Sequence, residues 1–278
     1  MSIRIVTDST CDLPQNLVDK HNITIAPLYI QFGEEEFIDG VEMTREAFYN
    51  RLGSSPEQAT TATPGIKKMV QIYEALAKQG ATQVLSIHIS KALSATVDVA
   101  RKAAQEASIP ITVLDSGQLS MGLGFLVLEA AHMARDELPV SDILARLQES
   151  GQAIYVTAAL DTLEYLRRSG RMNMIMAGIG SLLNVKPILK MNQGNPTSEL
   201  VRTHKRAVQR LLDLLRERSP LQNIALVHTN APRAVSALWE EAKTFLSYPE
   251  EPLKVNVTPV LGTHLGPGAI GFAWKVKR

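Results

Sequence analysis

The sequence predicts an α/β protein in two parts, the first built on a mainly parallel sheet with flanking helices and the second on a mainly antiparallel sheet. Three observations carry this reading. From Ile3 to Arg135, short β-branched runs alternate with longer helical patterns, and repeated strand–helix units imply parallel strands joined by crossovers. Further on, apolar runs face each other across Asn192-Gln193-Gly194-Asn195-Pro196, as strands of an antiparallel hairpin do. Finally, the chain has 278 residues, and roughly 150 residues per domain favours two units over one. The boundary is expected near Pro139–Gln152, within or after a helix at Ser141–Ser150, dividing the chain into 1–150 and 151–278.

In the first part, Ile3–Thr7, Ile23–Pro27, Val84–Ile89 and Ile111–Asp115 read as strands. Pro14–His21, Arg45–Leu52, Ile66–Gln79, Ala95–Ala107 and Met121–Arg135 read as helices. Leu28–Phe32 and Phe37-Ile38, joined through Gly33, form a small hairpin, and Thr44 suits an N-cap because its hydroxyl accepts from free first-turn N–H groups. In the second part, Ile154–Leu160, Val185–Met191, Leu200–Thr203, Ile224–His228, Val255–Val260 and Gly271–Lys277 read as strands. Leu163–Ser169, Lys205–Arg218 and Ala234–Ser247 read as helices.

Composition removes several function classes. The 29 basic residues against 28 acidic ones leave a net charge of +1, too little for a uniform field that holds nucleic acid or an anionic membrane. The longest charge-free apolar stretch, Met172 to Val185, falls short of the roughly 20 residues of a spanning helix. A single Cys11 allows neither an intramolecular disulfide nor a cysteine-rich zinc module, so a reducing, cytoplasmic setting is expected. Asp8, Asp12, Asp39, Glu42 and Asp115 lack any metal-ligand spacing, and aspartate at a strand end ordinarily caps the next turn; no metal is expected. No Gly-x-Ser-x-Gly or phosphate-binding glycine loop is present, which argues against a nucleotide enzyme.

Ligands of parallel α/β sheets collect beyond the carboxyl ends of the strands, which directs attention to the polar residues there. Ser94 stands where a helix should begin, so it is either a plain N-cap or a grip for an anion such as carboxylate. Thr61 and Thr63, in a loop ahead of the helix at Ile66, carry the same two readings. His264, in Gly262-Thr263-His264-Leu265-Gly266-Pro267-Gly268, is either a solvated loop histidine or a ligand contact on an irregular backbone. Arg167-Arg168-Ser169-Gly170-Arg171 either complements a helix C-terminus or forms a docking edge for an acidic partner.

Taken in order, the motifs resemble the DegV family of bacterial fatty-acid-binding proteins along nearly the whole chain. They are Val6-Thr7-Asp8-Ser9-Thr10-Cys11-Asp12-Leu13-Pro14, Ser86-Ile87-His88-Ile89-Ser90 with Leu93-Ser94-x-Thr96, and Leu160-Asp161-Thr162-Leu163-Glu164-Tyr165-Leu166-Arg167-Arg168-Ser169-Gly170-Arg171. Leu183-Asn184-Val185-Lys186-Pro187, Val201-Arg202-Thr203 and His264-x-Gly266-Pro267-Gly268-Ala269 complete the set. The resemblance implies a non-catalytic carrier that holds one long-chain fatty acid, of the hexadecanoate type, in an interior tunnel. It implies a carboxylate site formed by Thr61, Ala62, Thr63, Ser94 and His264, with no cofactor beyond the lipid. It also implies a fatty acid kinase as partner, which phosphorylates the carboxylate, with Arg171 in the docking region. Two departures stand out: Ala62 replaces a hydroxyl residue of the family's threonine loop, and Ala95 replaces the usual glycine after Ser94, narrowing the carboxylate niche. A rival from another class is a hydrolase or acyl-transfer enzyme using Ser94 and His264, which requires an orienting acid and an oxyanion hole. A third reading, a regulatory interaction module, rests on the Arg171 region alone.

Overall fold

The computed structural model describes residues 2–55, 57–172 and 185–277. Most of the charge-free stretch from Met172 to Val185, and Leu183-Asn184 of the family motif, lie outside the described residues.

The first sheet is parallel throughout and runs β2 (Thr24–Ala26), β1 (Ile3–Asp8), β6 (Gln83–His88), β7 (Ile111–Asp115). Its central strands are apolar on both faces: Ile5, Leu85 and Ile87 face one core, and Val6 and Val84 the other. Period-two alternation sorts the side chains between faces, and two apolar faces require cover on both sides. On the second of these faces lie α3 (Ile66–Lys78) and α4 (Thr96–Ala104), burying Met69, Tyr73, Leu76, Ala100 and Ala103. The other face is covered by α5 (Ser120–Arg135).

Helix α5 is apolar nearly all round, as a helix buried on every side must be. Its far side packs on the second sheet, touching β8 (Ile154–Ala159), β11 (Leu221–His228) and β13 (Ile270–Val276). That sheet has the order β10-β9-β8-β13-β11-β12, with β9 at Lys186–Asn192, β10 at Asn195–Val201 and β12 at Leu253–Asn256. All neighbours are antiparallel except β11 and β12. Its outer face buries Ile188, Leu226, Phe272 and Trp274 under α8 (His204–Arg216) and α9 (Pro232–Lys243). The layers therefore run helix, sheet, helix, sheet, helix, with α6 (Val140–Gln152) beside α5. A third, small antiparallel sheet, β4-β3-β5, joins Glu35–Ile38, Tyr29–Phe32 and Ala59–Ala62. Between β4 and β5 the chain forms α2 (Arg45–Ser54), whose N-cap Thr44 accepts from Ala47 N–H at 3.2 Å, as expected.

Three local readings change. Thr60–Ala62, expected as the start of a loop through Gly65, belongs instead to β5 and pairs with β3, Thr61 opposite Ile30. The Asn192–Pro196 turn shrinks to Gln193 and Gly194, with φ of 50° and 74°, the paired positive angles of a tight hairpin turn. Strand β10 therefore starts at Asn195 rather than Leu200, and Pro196 is tolerated because β10 is an edge strand. The strand expected over Val255–Val260 stops at Asn256, and Pro259 opens α10 (Pro259–Leu265), since its fixed φ and missing N–H suit a first helical position. No helix among the described residues is long and apolar enough to cross a membrane.

Candidate functional site

Strands β1 and β6 are neighbours, yet the chain leaves them in opposite directions, β1 toward β2 and β6 toward β7. The crevice beyond such a reversal is where open α/β sheets bind ligands. Here Thr10 and Ile89, just past the two strands, line a cavity with Leu93 and Ser94. Thr61 of β5, His264 of α10 and Arg171, just past α7 (Glu164–Arg168), close the opposite wall. A second cavity shares Leu119, Leu189, Leu261 and Leu265 with the first and continues along the six-stranded sheet past Val156, Met191 and Val227. The space between atoms amounts to about 580 Å³ in the outer cavity and about 470 Å³ in the inner one, adjoining open solvent included in both. Polar groups at the inner wall are engaged elsewhere: Ser120 donates to Asp12, and His228 Nδ1 and Thr229 Oγ1 accept from the N–H groups of Ala231 and Ala269. The two cavities thus adjoin across a shared leucine wall, with Thr61, Ser94, Arg171 and His264 gathered around the outer one.

His264 lies in the last turn of α10, not in a solvated loop. Its Nε2 is 3.2 Å from Thr61 Oγ1, while Nδ1 is buried without a partner among the described residues. Burial, reinforced by the positive charge of Arg171, pulls its pKa from the usual 6.5 down to about 4, because both disfavour the imidazolium. The unfolded chain takes up this proton near 6.5 and the native chain only near 4, so this group costs stability as pH falls between those values. A neutral imidazole that donates Nε2–H to Thr61 frees the threonine hydroxyl to donate to an anion. A carboxylate bound there stabilises the imidazolium. Saturating the protein with fatty acid is therefore expected to raise the His264 titration midpoint, followed by NMR, above its lipid-free value; an unmoved midpoint would place the carboxylate elsewhere.

Ser94 is not the N-cap of α4. That position is Ala95, which offers no capping side chain, and Ser94 Oγ instead accepts from Thr96 N–H at 3.3 Å and lies 2.9 Å from Thr96 Oγ1. With Thr96 as donor in that pair, the Ser94 proton is available to the cavity. Ala62 and Thr63 are not among the cavity-lining residues, and strand alternation turns Ala62 away from the face on which Thr61 meets His264.

Arg171 departs most from expectation. Remote in sequence from Thr61 and Ser94, it shares their cavity. Its Nη1 donates to Ser169 O at 2.9 Å, and its Nε is buried without a partner among the described residues. The approach depends on Gly266, at φ 70°, where a Cβ would stand 2.1 Å from the Tyr165 ring of α7; only glycine lets α7 pack onto the end of α10. Arg167 and Arg168 remain outside, both paired with Glu164. The rival hydrolytic arrangement lacks its orienter, since among the described residues no carboxylate meets His264 Nδ1.

A sequence model described as "Uncharacterised protein, DegV family" matches residues 2–277. The chain belongs to the DegV family. It is 34% identical over 273 residues to a DegV domain-containing protein of Streptomyces coelicolor, covering 97% of this chain and 96% of that one. The crystal structure of DegV, a fatty acid binding protein from Bacillus subtilis, aligns with TM-score 0.90 and 33% identity over 100% of both chains. A DegV family protein from Thermus thermophilus, studied for its fatty acid binding, aligns with TM-score 0.90 and 32% identity, also over 100% of both. In this DegV-family chain, the leucines shared by the two cavities carried no sequence signal, because an apolar side chain facing a cavity follows the same periodicity as one facing a core. Thr10 had only the general cue of following a parallel strand.

Proposed function

We propose that this protein is a carrier that sequesters one long-chain fatty acid in the two adjoining cavities and holds its carboxylate among Thr61, Ser94, His264 and Arg171. The observation that carries the reading is the pair of adjoining apolar cavities with buried polar atoms, Arg171 Nε and His264 Nδ1, that lack a partner among the described residues at the outer end. The fatty acid binding of the Bacillus and Thermus proteins supports it. Burying about 15 methylenes at ~0.8 kcal/mol each supplies on the order of 12 kcal/mol before association and ordering costs, enough for micromolar or tighter binding. The carboxylate is presented to a fatty acid kinase for acyl-phosphate formation. A carboxylate oxygen is already a nucleophile and the kinase brings nucleotide and Mg²⁺, so the carrier needs no base of its own. Arg167 and Arg168 stay on the exposed side where such a partner arrives, and a reducing cell interior suits the single buried Cys11.

Organic extraction of the purified protein followed by mass spectrometry tests the reading. Close to one long-chain fatty acid per chain is expected, because apolar cavities bind apolar ligands readily. Folded protein that carries no lipid and takes up none when it is offered would end the carrier proposal.

A further inference from the structure

A buried polar chain ties the carboxyl ends of β1 and β6 together. Tyr73 Oη of α3 lies 2.9 Å from Ser86 Oγ, Ser86 Oγ 2.7 Å from His88 Nε2, and His88 Nδ1 3.0 Å from Asp8 Oδ2. Serine, histidine and aspartate here have the connectivity of a hydrolytic triad. All three are completely enclosed and none lines either cavity, so no substrate reaches Ser86.

The network does reach the wall of the outer cavity. Asp8 Oδ2 accepts from His88 Nδ1–H and, at 2.9 Å, from Ile89 N–H; Asp8 Oδ1 accepts from Thr10 N–H at 3.1 Å and from the Thr10 hydroxyl. Four bonds fill the roughly four acceptor sites of a carboxylate. Thr10 and Ile89 both line the outer cavity. Ile89 also starts the turn that carries Ser94, in which the Ser90 carbonyl accepts from Leu93 N–H at 2.9 Å and Ser94 N–H at 3.2 Å. An ordinary turn cap accounts for the Thr10 bonds alone, whereas the bonds to His88 and Ile89 span 80 and 81 residues of sequence.

We propose that Asp8, oriented by His88, is a positioning residue for the head-group site, holding the Thr10 turn and the Ile89–Ser94 loop at the separation a bound carboxylate needs. The inference rests on the fatty-acid reading for its ligand and on the hydrogen bonds alone for its geometry. Aspartate is required rather than asparagine because each oxygen accepts from two donors. An amide in its place turns one acceptor into a donor, and in either orientation the Thr10 N–H or the Ile89 N–H loses its partner. Ser86→Ala cuts the same chain on the α3 side, where no bond to the loop is lost.

The test compares Asp8→Asn with Ser86→Ala in the full chain, by affinity for hexadecanoate and for hexadecan-1-ol, and by amide exchange of residues 89–94 in lipid-stripped protein. Asp8→Asn is expected to weaken hexadecanoate binding roughly tenfold or more, to leave the alcohol within about twofold, and to speed exchange at Ile89 and Ser94. Ser86→Ala is expected to lower the melting temperature with both affinities and loop exchange unchanged. Equal losses for both ligands, an undiminished hexadecanoate affinity in Asp8→Asn, or the same carboxylate-selective loss in Ser86→Ala overturns the positioning role. If Asp8→Asn does not fold, wild-type ¹⁵N spectra decide: His88 protonated at Nδ1 is required, and a proton on Nε2 alone overturns the orientation by Asp8. Wild-type protein that binds neither ligand refutes the fatty-acid reading, while loop exchange in Asp8→Asn still decides whether Asp8 holds the loop.

Discussion

Arg171→Ala is expected to weaken fatty-acid binding by roughly ten- to a hundredfold, because a charge-assisted hydrogen bond to a carboxylate is worth about 1.5–3 kcal/mol. Ser94→Ala should cost less, about tenfold, since it removes a neutral donor. Three consequences separate a counter-charge at the outer cavity from a docking patch on the surface. The matching fatty alcohol loses little affinity in Arg171→Ala, as it has no charge to pair. The loss persists at high salt, because a partly buried pair is screened far less than an exposed one. The His264 midpoint rises in the lipid-free variant, since the nearby positive charge that helps depress it is gone. Titration calorimetry and NMR read all three. Wild-type affinity in Arg171→Ala, combined with slower acyl-phosphate formation by a kinase, would return Arg171 to the docking role suggested by its place in the sequence.

The place of Arg171 at the cavity shows what local sequence carries and what it does not. The parallel sheet was legible because β1 and β6 are apolar on both faces and separated by helical periodicity, a pattern few other arrangements satisfy. The Thr44 cap was legible because the cap and its acceptor geometry lie within three residues. Thr60–Ala62 was misread as loop because a short strand with two threonines depends on its partner β3, distant in sequence, for its hydrogen bonds. Val255–Val260 misled in the opposite way, its β-branched run hiding that Pro259 begins a helix. Ser94, Thr61 and His264 each stood out in the sequence, marked by a helix entry or an irregular backbone, and the structure brings them to one cavity. That Arg171 shares this cavity was not legible, because it arrives there through the packing of Tyr165 on Gly266, a contact between segments a hundred residues apart. Asp8 showed only its cap, since its bonds to His88 and Ile89 exist only once β1 and β6 are paired.

Gly271→Ala is expected to cost the most stability, on the order of 3 kcal/mol or more, or to prevent folding altogether. Gly271 sits in β13 between β8 and β11, opposite Ala158 and Val227. A Cβ there would lie 1.9 Å from the Thr157 carbonyl oxygen and 2.7 Å from Ala158 Cα. Both are backbone atoms of a central strand, so no rotamer change relieves the overlap; β13 must move away from β8. Ala158 and Val227 also line the inner cavity, so the same displacement deforms the sheet side of that cavity and should lower affinity for the longest chains first. Gly53→Ala is the matched control: it lies in helix α2 with nothing within 4 Å of the added carbon, and it should stabilise by about 0.5–1 kcal/mol through helix propensity. Thermal melts of the two variants, with binding isotherms for acids of increasing length, check the pair. A Gly271→Ala protein that melts with the wild type would refute the close approach of β13 to the β8 backbone and, with it, the rigid sheet wall of the inner cavity.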